Sequence, residues 1–352
     1  MILAQLRVPI VLAPLAGGPS TPQLAAAVTN AGGLGFLAAG YLTADVLADR
    51  LAQARTLTRG PLGVNVFAPG PSAAAGTVAA YADALADEAR RAGVKLGEAR
   101  SDDDGWDAKL ALLTANPADV ASFTFGCPEP AVVAALQTAG SEVWVTVTTP
   151  AEAAQAAAAG ADALVLQGSE AGGHRGSFAD DPADDAAGGI GLLSLLQLAR
   201  SRSELPLVAA GGISTGAAIA AVLAAGAAAA QLGTAFLRCP EAGTAAVHRA
   251  ALAAPGPTAM TRAFTGRLAR GIRNDFLDRH SRDAPAAYPQ VHYLTAPLRA
   301  HGRSSGDADL VNLWAGQTHE LGRELPAGEL VAELAAEASD ALRAAAARMR
   351  PS

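Results

Sequence analysis

Short apolar runs alternate along this chain with longer segments that are rich in alanine and leucine. Eight of the runs consist mainly of aliphatic or β-branched residues, as buried strands do. They are residues 10–15, 33–39, 62–67, 120–125, 142–147, 161–167, 206–212 and 228–237. Because strands of a parallel sheet are covered on both faces and therefore continuously apolar, the alternation predicts successive β/α units.

The segments between the runs carry the start and stop signals of helices. Three of them begin after Ser or Thr and end at a glycine, which are the residues favoured at the two ends of a helix. The start signals are Ser20-Thr21-Pro22, Thr149-Pro150 and Ser214-Thr215, and the glycines are Gly32, Gly160 and Gly226. Eight β/α repeats predict an α/β fold of the TIM (β/α)8 barrel type, with its site at the carboxyl ends of the strands.

Two segments interrupt this repeat. Residues 76–116 combine a helical pattern with the charged stretch SDDDGWD, which predicts a helix and a surface excursion before strand four. Residues 262–325 follow the eighth strand and predict a small cap over one end of the barrel. The expected division is a barrel over 1–261, a cap or substrate-side segment over 262–325, and a C-terminal helix packed on the barrel within 326–352.

Composition excludes several classes of function. Apolar residues make up 51% of the 352 positions and charged residues 17%, as in a globular protein. A net charge of −7 offers no basic surface for nucleic acid or an anionic membrane. Cys127 and Cys239 form no CxxC pair, which gives no support to a metal centre or a disulfide framework.

The N-terminal apolar run lacks a basic leader and is broken by Pro9 and Pro14, unlike a signal peptide. No span of about 18 residues has the composition of a membrane helix. A cytoplasmic protein, monomeric or homodimeric, is therefore expected.

Glycines follow the seventh and eighth predicted strands. Gly211 and Gly212 end strand seven, and Gly233 and Thr234 lie where strand eight meets its loop. Glycine lets backbone N–H groups approach an anion, and a helix N terminus favours negative charge, so these turns predict a phosphorylated ligand. The alternative is that both are only tight βα turns.

Two amide side chains end strands that are otherwise apolar. Asn65 lies in GVNVF on the third strand, and Gln167 ends the sixth. An amide offers both a donor and an acceptor, so the pair predicts a site that binds the edge of a flavin-like ring. The alternative is that each amide is a solvated strand terminus.

A single histidine follows in the stretch LQGSEAGGHRGSF, residues 166–178. His174 has an imidazole whose ordinary pKa suits proton abstraction from a carbon acid or hydrogen bonding to an anionic oxygen. The alternative is an ordinary loop histidine. Gly172 and Gly173 precede it, and a side chain at either position is expected to collide with a cofactor lying across the strand ends.

These stretches together resemble the nitronate monooxygenase family, formerly called 2-nitropropane dioxygenases, in its bacterial class. The resemblance rests on QGSEAGGHRGSF, the N-terminal PIVLAPLAGGPSTPQLAAAVTNAGGLGFL, GVNVF, AAGGI and QLGTAFL, and downstream on TGRLARGIRNDF, YPQVHYLTAPLR, LWAGQ and LPAGELV. It spans nearly the whole chain. It implies a TIM barrel that holds flavin mononucleotide (FMN) and oxidises alkyl nitronates, notably propionate 3-nitronate, with O₂ and without a metal.

The resemblance also implies roles for individual residues. His174 matches the catalytic base, which deprotonates a neutral nitroalkane or binds the nitronate. The positions expected to contact FMN are Asn65, Gln167, Gly172, Gly173, Gly211, Gly212, Gln231, Leu232, Gly233 and Thr234. Tyr288, His292 and Tyr293, with Trp314, are candidates for the substrate side, and core or surface positions in the cap are the equal alternative.

Other polar groups are expected to be structural. Arg267, Arg270 and Arg273 are interpreted as structural contacts rather than phosphate ligands. Cys127, in FGCPEP near the end of strand four, is interpreted as a packing residue because no partner histidine is identifiable.

Two rival functions remain at this point. The first is an FMN-dependent NAD(P)H:quinone reductase or enoyl-acyl carrier protein reductase. In the latter the residue that opens the xGxEAGGH motif is typically acidic, whereas here it is Gln167. The second is a different class: a sugar-phosphate isomerase or aldolase, or a flavin-storage protein. A Schiff-base aldolase needs a lysine at a strand end, and Lys95 and Lys109 both lie in the charged excursion.

Overall fold

A computed structural model describes residues 1–71, 73–183 and 188–349. Its strands are β1 (Ile10–Leu12), β2 (Gly35–Ala38), β3 (Leu62–Phe67), β4 (Val120–Thr124), β5 (Glu142–Val147), β6 (Ala163–Gln167), β7 (Gly173–His174), β8 (Leu207–Ala210), β9 (Ala229–Leu232), β10 (Thr258–Thr261) and β11 (Ala269–Ile272). Its helices are α1 (Pro22–Asn30), α2 (Ala44–Leu57), α3 (Ala75–Ala84), α4 (Ala86–Ala92), α5 (Trp106–Ala115), α6 (Pro130–Ala139), α7 (Pro150–Ala158), α8 (Leu192–Arg200), α9 (Gly216–Ala224), α10 (Ala246–Ala253), α11 (Asp275–His280), α12 (Gln290–Ser305) and α13 (Ala327–Arg348).

Eight parallel strands form the barrel, in the order β1-β9-β8-β6-β5-β4-β3-β2. A parallel bridge between Val11 and Leu34 joins the two ends of this sheet. All eight predicted runs contain one of these strands, so the predicted TIM barrel is confirmed. Among the described residues, no helix is both long enough and apolar enough to cross a membrane.

The predicted helix caps are present at the three sites. The hydroxyls of Thr21, Thr149 and Thr215 accept hydrogen bonds from backbone N–H groups in the first turns of α1, α7 and α9, at 3.0, 3.2 and 3.2 Å. Each helix is followed by a glycine in the left-handed region: φ is +103° at Gly32, +93° at Gly160 and +100° at Gly226.

The barrel strands are buried on both faces. Val11, Trp144 and Val208 belong to a cluster inside the barrel, which Leu3 and Leu6 cover from below. Their strand neighbours point outward into the layer between sheet and helices. This double burial is the reason the strands are continuously apolar in sequence.

The excursion before strand four differs from its prediction in two ways. Its helical pattern is divided at Leu85 into α3 and α4. The charged stretch is also not wholly at the surface, because Asp104 lies 2.6 Å from the fully buried ammonium of Lys109. The backbone N–H of Tyr41, after β2, donates to the same carboxylate at 2.9 Å.

Residues 262–325, the predicted cap, pack against the excursion. Tyr81 of α3 donates to the carbonyl of Ala263 at 2.8 Å, and it belongs to a hydrophobic cluster with Phe264, Phe276 and Leu298. Strand β11 pairs antiparallel with both β10 and β7, so strand pairing crosses the proposed boundary at residue 261. The division into three segments remains a prediction.

The predicted C-terminal helix is present as α13. It lies against α9, where the carboxylate of Glu337 accepts a hydrogen bond from the Gly216 backbone N–H at 3.0 Å. The last helix of the chain therefore supports the N terminus of the helix that follows strand β8.

Candidate active site

A cavity of about 470 Å³ opens at the carboxyl ends of the barrel strands. Most of the residues singled out from the sequence line it: Asn65, Gln167, Gly172, Gly173, His174, Gly211, Gly212, Gln231, Gly233, Thr234, His292 and Trp314. Leu232 does not, since its side chain is buried in the core. Tyr288 and Tyr293 line an adjoining cavity of about 360 Å³ that shares Tyr41, Phe67 and Phe125 with the first.

His174 is fixed by strand pairing despite the glycines around it. It lies on β7, opposite Ala269 of β11. Its Nε2 is 2.9 Å from the hydroxyl of Thr265 in the cap. The rings of Phe125, Tyr288 and Trp314 surround the imidazole, with centroids 5.4 to 5.8 Å away. Contacts from the cap, rather than the local sequence, therefore determine where this imidazole lies.

The imidazole is neutral in the folded protein. Burial, and then the charges of Arg267 and Arg299, lower the pKa of His174 to about 3. Its Nδ1 has no hydrogen-bond partner among the described residues and is not sealed from the cavity. Nδ1 is therefore the ring atom that a ligand in the cavity can reach.

The Gln167 side chain holds the loop that follows its strand. Its amide nitrogen donates to the His174 carbonyl at 3.0 Å, and its amide oxygen accepts from the Gly176 N–H at 2.8 Å. Both ends of the side chain are thus occupied by the loop that carries the histidine. The amide keeps a second N–H and a second oxygen lone pair at the cavity, and its contact with a flavin ring remains a prediction.

Asn65 retains one free group. Its amide nitrogen donates to the hydroxyls of Ser122 and Thr124 at 2.9 and 3.0 Å. Its Oδ1 has no partner among the described residues, although the residue is only 2% exposed. The strand end therefore presents a single fixed acceptor to the cavity.

The glycine turns leave backbone donors unpaired. Within the part of the chain that the structure describes, the N–H groups of Gly212, Ile213 and Gly233 donate to no protein acceptor. Unpaired N–H groups that share one cavity wall are suited to bind an anion or ordered water. Gly211 and Gly212, with φ of +116° and +66°, have the backbone conformation that this turn requires.

Gly172 has a reason to be glycine that the sequence did not show. A Cβ atom there would lie 2.4 Å from the backbone of Ala315 and Gly316 in the cap, while the collision with a cofactor remains a prediction. Gly173 has φ of +76° and open space where a Cβ would be. The two adjacent glycines therefore serve packing and backbone conformation respectively.

The cavity is positively charged. Arg299 and Arg303 line it, and none of its described lining residues is Asp or Glu. Arg299 is 6% exposed and has no carboxylate within 4 Å among the described residues. Burial lowers its pKa to about 10, which leaves it charged at neutral pH. Such a cavity favours an anionic ligand.

The three arginines predicted to be structural do have protein partners. Arg267 donates to the carbonyls of Arg175 and Ser177 and lies 4.0 Å above the Phe125 ring. Arg270 donates to the Ser169 carbonyl, and Arg273 pairs with Asp278. These contacts fit the structural role expected for the three arginines. The charge of Arg267 nevertheless contributes to lowering the pKa of His174.

Comparison with known proteins agrees with this geometry. Residues 2–337 match the family model described as nitronate monooxygenase. The chain is 42% identical over 337 residues to the nitronate monooxygenase of Paraburkholderia phytofirmans, covering 93% of this chain and 91% of the relative. It is 41% identical over 345 residues to that of Pseudomonas aeruginosa, covering 95% and 97%. The chain belongs to the nitronate monooxygenase family.

Solved structures support the same assignment. A nitroalkane oxidase from Streptomyces ansochromogenes is 54% identical, with a TM-score of 0.96 and coverage of 98% of this chain and 99% of that one. FabK from Thermotoga maritima superposes with a TM-score of 0.77 over 99% and 97% of the chains at 24% identity, which shows a shared fold. This member of the nitronate monooxygenase family is thus an oxidoreductase with a TIM-barrel fold.

The substrate-side candidates of this nitronate monooxygenase family member occupy different places. His292 lies in the cavity with His174. The Tyr288 ring packs near the imidazoles of both histidines, and its hydroxyl donates to the Tyr41 hydroxyl at 3.2 Å. Tyr293 instead donates to the exposed Asp102 at 2.5 Å and lies under Arg100, away from His174. Cys127 is half-buried and contacts the Pro128 carbonyl.

Sequence reasoning missed Tyr41, Thr265 and Arg299. Tyr41 follows a glycine at the end of β2 and has φ of +67°, which is rare outside glycine. Its place just after a barrel strand was a usable signal. Thr265 and Arg299 gave none, since each acquires its role only where the cap meets the barrel.

Proposed function

We propose that this protein uses FMN to oxidise alkyl nitronates, propionate 3-nitronate among them, with O₂ as the co-substrate. The observation that carries the proposal is the neutral, partner-free Nδ1 of His174 in a cavity that arginines line without a counter-carboxylate among the described residues. A nitroalkane is a carbon acid and a nitronate is its anion. One group that accepts a proton and others that favour an anion therefore fit this pair.

The residues present fit FMN, and members of the family are flavin enzymes. The unpaired N–H groups of Gly212, Ile213 and Gly233 would hold the phosphate, as glycine turns at these barrel strands do. The free Oδ1 of Asn65 would accept a hydrogen bond from a ring N–H. When bound, the flavin would supply the redox group that takes an electron from the nitronate.

The hydrogen bonds around His174 favour Nδ1 as its proton acceptor. The Thr265 hydroxyl also lies 3.3 Å from the Arg267 carbonyl, to which it can donate. In that arrangement Nε2–H of His174 donates to Thr265, and Nδ1 carries the free lone pair. Nδ1 would then take the α-proton of a neutral nitroalkane, and the negative charge would move to the nitro oxygens.

The remaining expectations are consistent with this activity. We propose a cytoplasmic enzyme, which the two free cysteines support. Its partners would be the small substrate and O₂ rather than nucleic acid or membrane, and the protein would be a monomer or a homodimer.

The decisive experiment compares two reductants on the purified, flavin-loaded protein. O₂ uptake with propionate 3-nitronate should be rapid, whereas NADPH should neither be consumed with a quinone acceptor nor bleach the flavin anaerobically. Fast anaerobic bleaching by NADPH, with no O₂ uptake from nitronate, would instead assign the protein to the reductases that share its fold.

A further inference from the structure

Helix α12 presents a second histidine to the cavity, and one arginine on the same helix fixes its proton. A terminal nitrogen of Arg299 donates to the His292 carbonyl at 2.6 Å and lies 3.3 Å from His292 Nδ1. A guanidinium has donors only, so Nδ1 must be the acceptor in this contact. The single proton of the neutral imidazole is therefore on Nε2.

Stacking fixes the direction of the ring. Its face lies on the Tyr41 ring, with centroids 4.2 Å apart and planes 3° from parallel. Tyr41 is itself held by the hydrogen bond that its backbone N–H donates to Asp104. The same carboxylate forms an ion pair with the buried Lys109. A chain of contacts from the excursion thus orients the imidazole without using its Nε2.

Nε2 is left free for a ligand. It has no hydrogen-bond partner among the described residues, it is not a sealed atom, and the side chain lines the same cavity as His174. Burial, and then the charges of Arg299 and Arg303, lower the pKa of His292 to about 2, so the ring stays neutral. One neutral histidine therefore offers an acceptor to the cavity and the other offers a donor.

We propose that His292 is a second catalytic residue, whose Nε2–H donates a hydrogen bond to an oxygen of the nitro or nitronate group. Arg299 is the positioning residue that holds the proton on Nε2. Negative charge grows on that oxygen as His174 takes the α-proton, so the hydrogen bond is strongest where the charge forms. The inference deepens the proposed function and rests on it.

Three substitutions of His292 separate the donor from the bulk of the ring. Gln places its NH₂ near the former Nε2 and leaves its oxygen for Arg299. Asn places its amide near the former Nδ1, and Leu has no donor. With ethyl nitronate, kcat/KM should stay within about threefold in His292→Gln and fall about 10- to 100-fold in His292→Asn and His292→Leu, as expected for a hydrogen bond to a charged group.

A ligand that does not react provides a second measurement. Nitrate is a planar anion with the shape of a nitronate, and its Kd can be followed through the flavin absorbance. The affinity of the protein for nitrate should fall in parallel with kcat/KM across the three variants. His301→Gln, on the same helix but outside the cavity, is the matched control and should change neither value.

Arg299 is tested through coupling. Arg299→Met should lower kcat/KM, but adding His292→Leu to it should cost much less than His292→Leu alone, because the two residues act through one hydrogen bond. Fully additive losses would mean that Arg299 does not act through His292. Unchanged nitrate binding and turnover in His292→Leu, or equal losses in the Gln and Leu variants, would overturn the donor role. Absence of nitronate turnover in the wild type would overturn the proposed function, while nitrate binding would still test the donor.

Discussion

The two nitrogens of His174 have different surroundings, and this difference gives the residue its proposed chemistry. Nε2 meets the Thr265 hydroxyl, while Nδ1 meets only the cavity. Its low pKa makes it a weak base in the resting site, and anionic charge bound nearby would raise that pKa again. Proton abstraction and anion binding are therefore coupled at this residue.

Replacing His174 with Ala should separate these two tasks. Turnover of neutral nitroethane should fall about 10²- to 10⁴-fold, which is the usual contribution of a general base. Turnover of pre-formed ethyl nitronate should fall much less, because no proton has to be removed. Steady-state kinetics on both substrates measure this, with His301→Ala as the control. Equal losses on the two substrates would mean that proton abstraction is not the role of His174.

For single residues, the sequence was a good guide to which side chains reach the cavity. It was a poorer guide to the contacts that they make there. Asn65 was found because a polar residue in an apolar strand is conspicuous, and His174 because it is a single histidine among glycines after the sixth strand. The hydrogen bonds of Gln167 to residues 174 and 176 were not predictable, since they depend on the course of the loop after β6. The tautomer of His292 depends on Arg299, which no sequence pattern connects to it.

The excursion between β3 and β4 acts on the site through a buried ion pair. Lys109 of α5 is fully buried and pairs with Asp104, which in turn accepts the Tyr41 N–H beside His292. Burial raises the pKa of Asp104 despite this partner. An element that looks peripheral in sequence therefore holds the aromatic ring on which a proposed catalytic histidine rests.

Breaking this pair should destabilise the protein more than removing both charges. Lys109→Met leaves a buried carboxylate without its partner and should lower the free energy of unfolding by about 3 kcal/mol. Adding Asp104→Asn should recover much of the loss. Urea denaturation of both variants measures this, and Arg343→Met, which breaks an exposed pair on α13, is the control. A double variant less stable than Lys109→Met would contradict the argument.

The whole molecule is a barrel whose open end is closed by two separate parts of the chain. Eight apolar strands were predictable because burial on both faces leaves a direct trace in the sequence. For the cap, the sequence predicted the range of residues but not the contacts that they make. Its contacts join residues far apart in the chain, such as Tyr81 with Ala263 and His174 with Ala269, and no local pattern encodes such pairs.

Burial of three neutral histidines makes the stability of the folded protein sensitive to acid. Burial lowers the pKa of His174, His248 and His292 to about 3, 4 and 2. Between these values and the unfolded value of 6.5, the unfolded chain binds more protons than the folded one. The free energy of unfolding should therefore be highest above pH 6.5 and fall as the pH drops toward 4, by up to about 1.4 kcal/mol per pH unit for each histidine.

Urea denaturation at several pH values between 7 and 5 measures this dependence. His248, whose Nε2 donates to the Trp314 carbonyl, is the most convenient of the three to replace, because it is not a proposed catalytic residue. His248→Gln should reduce the slope below pH 6.5. Stability that is constant or rises toward pH 5 would contradict the prediction.

The three-stranded sheet of β7, β10 and β11 sets a condition for protein engineering. The loop that carries His174 is a strand only because β11 lies beside it, and β11 comes from a part of the chain about 95 residues later. Transplanting the EAGGH loop into another barrel would therefore carry over the histidine without the partner that aims it. A graft would have to bring residues 258–272 as well, since the histidine and the strand that holds it lie on two distant pieces of chain.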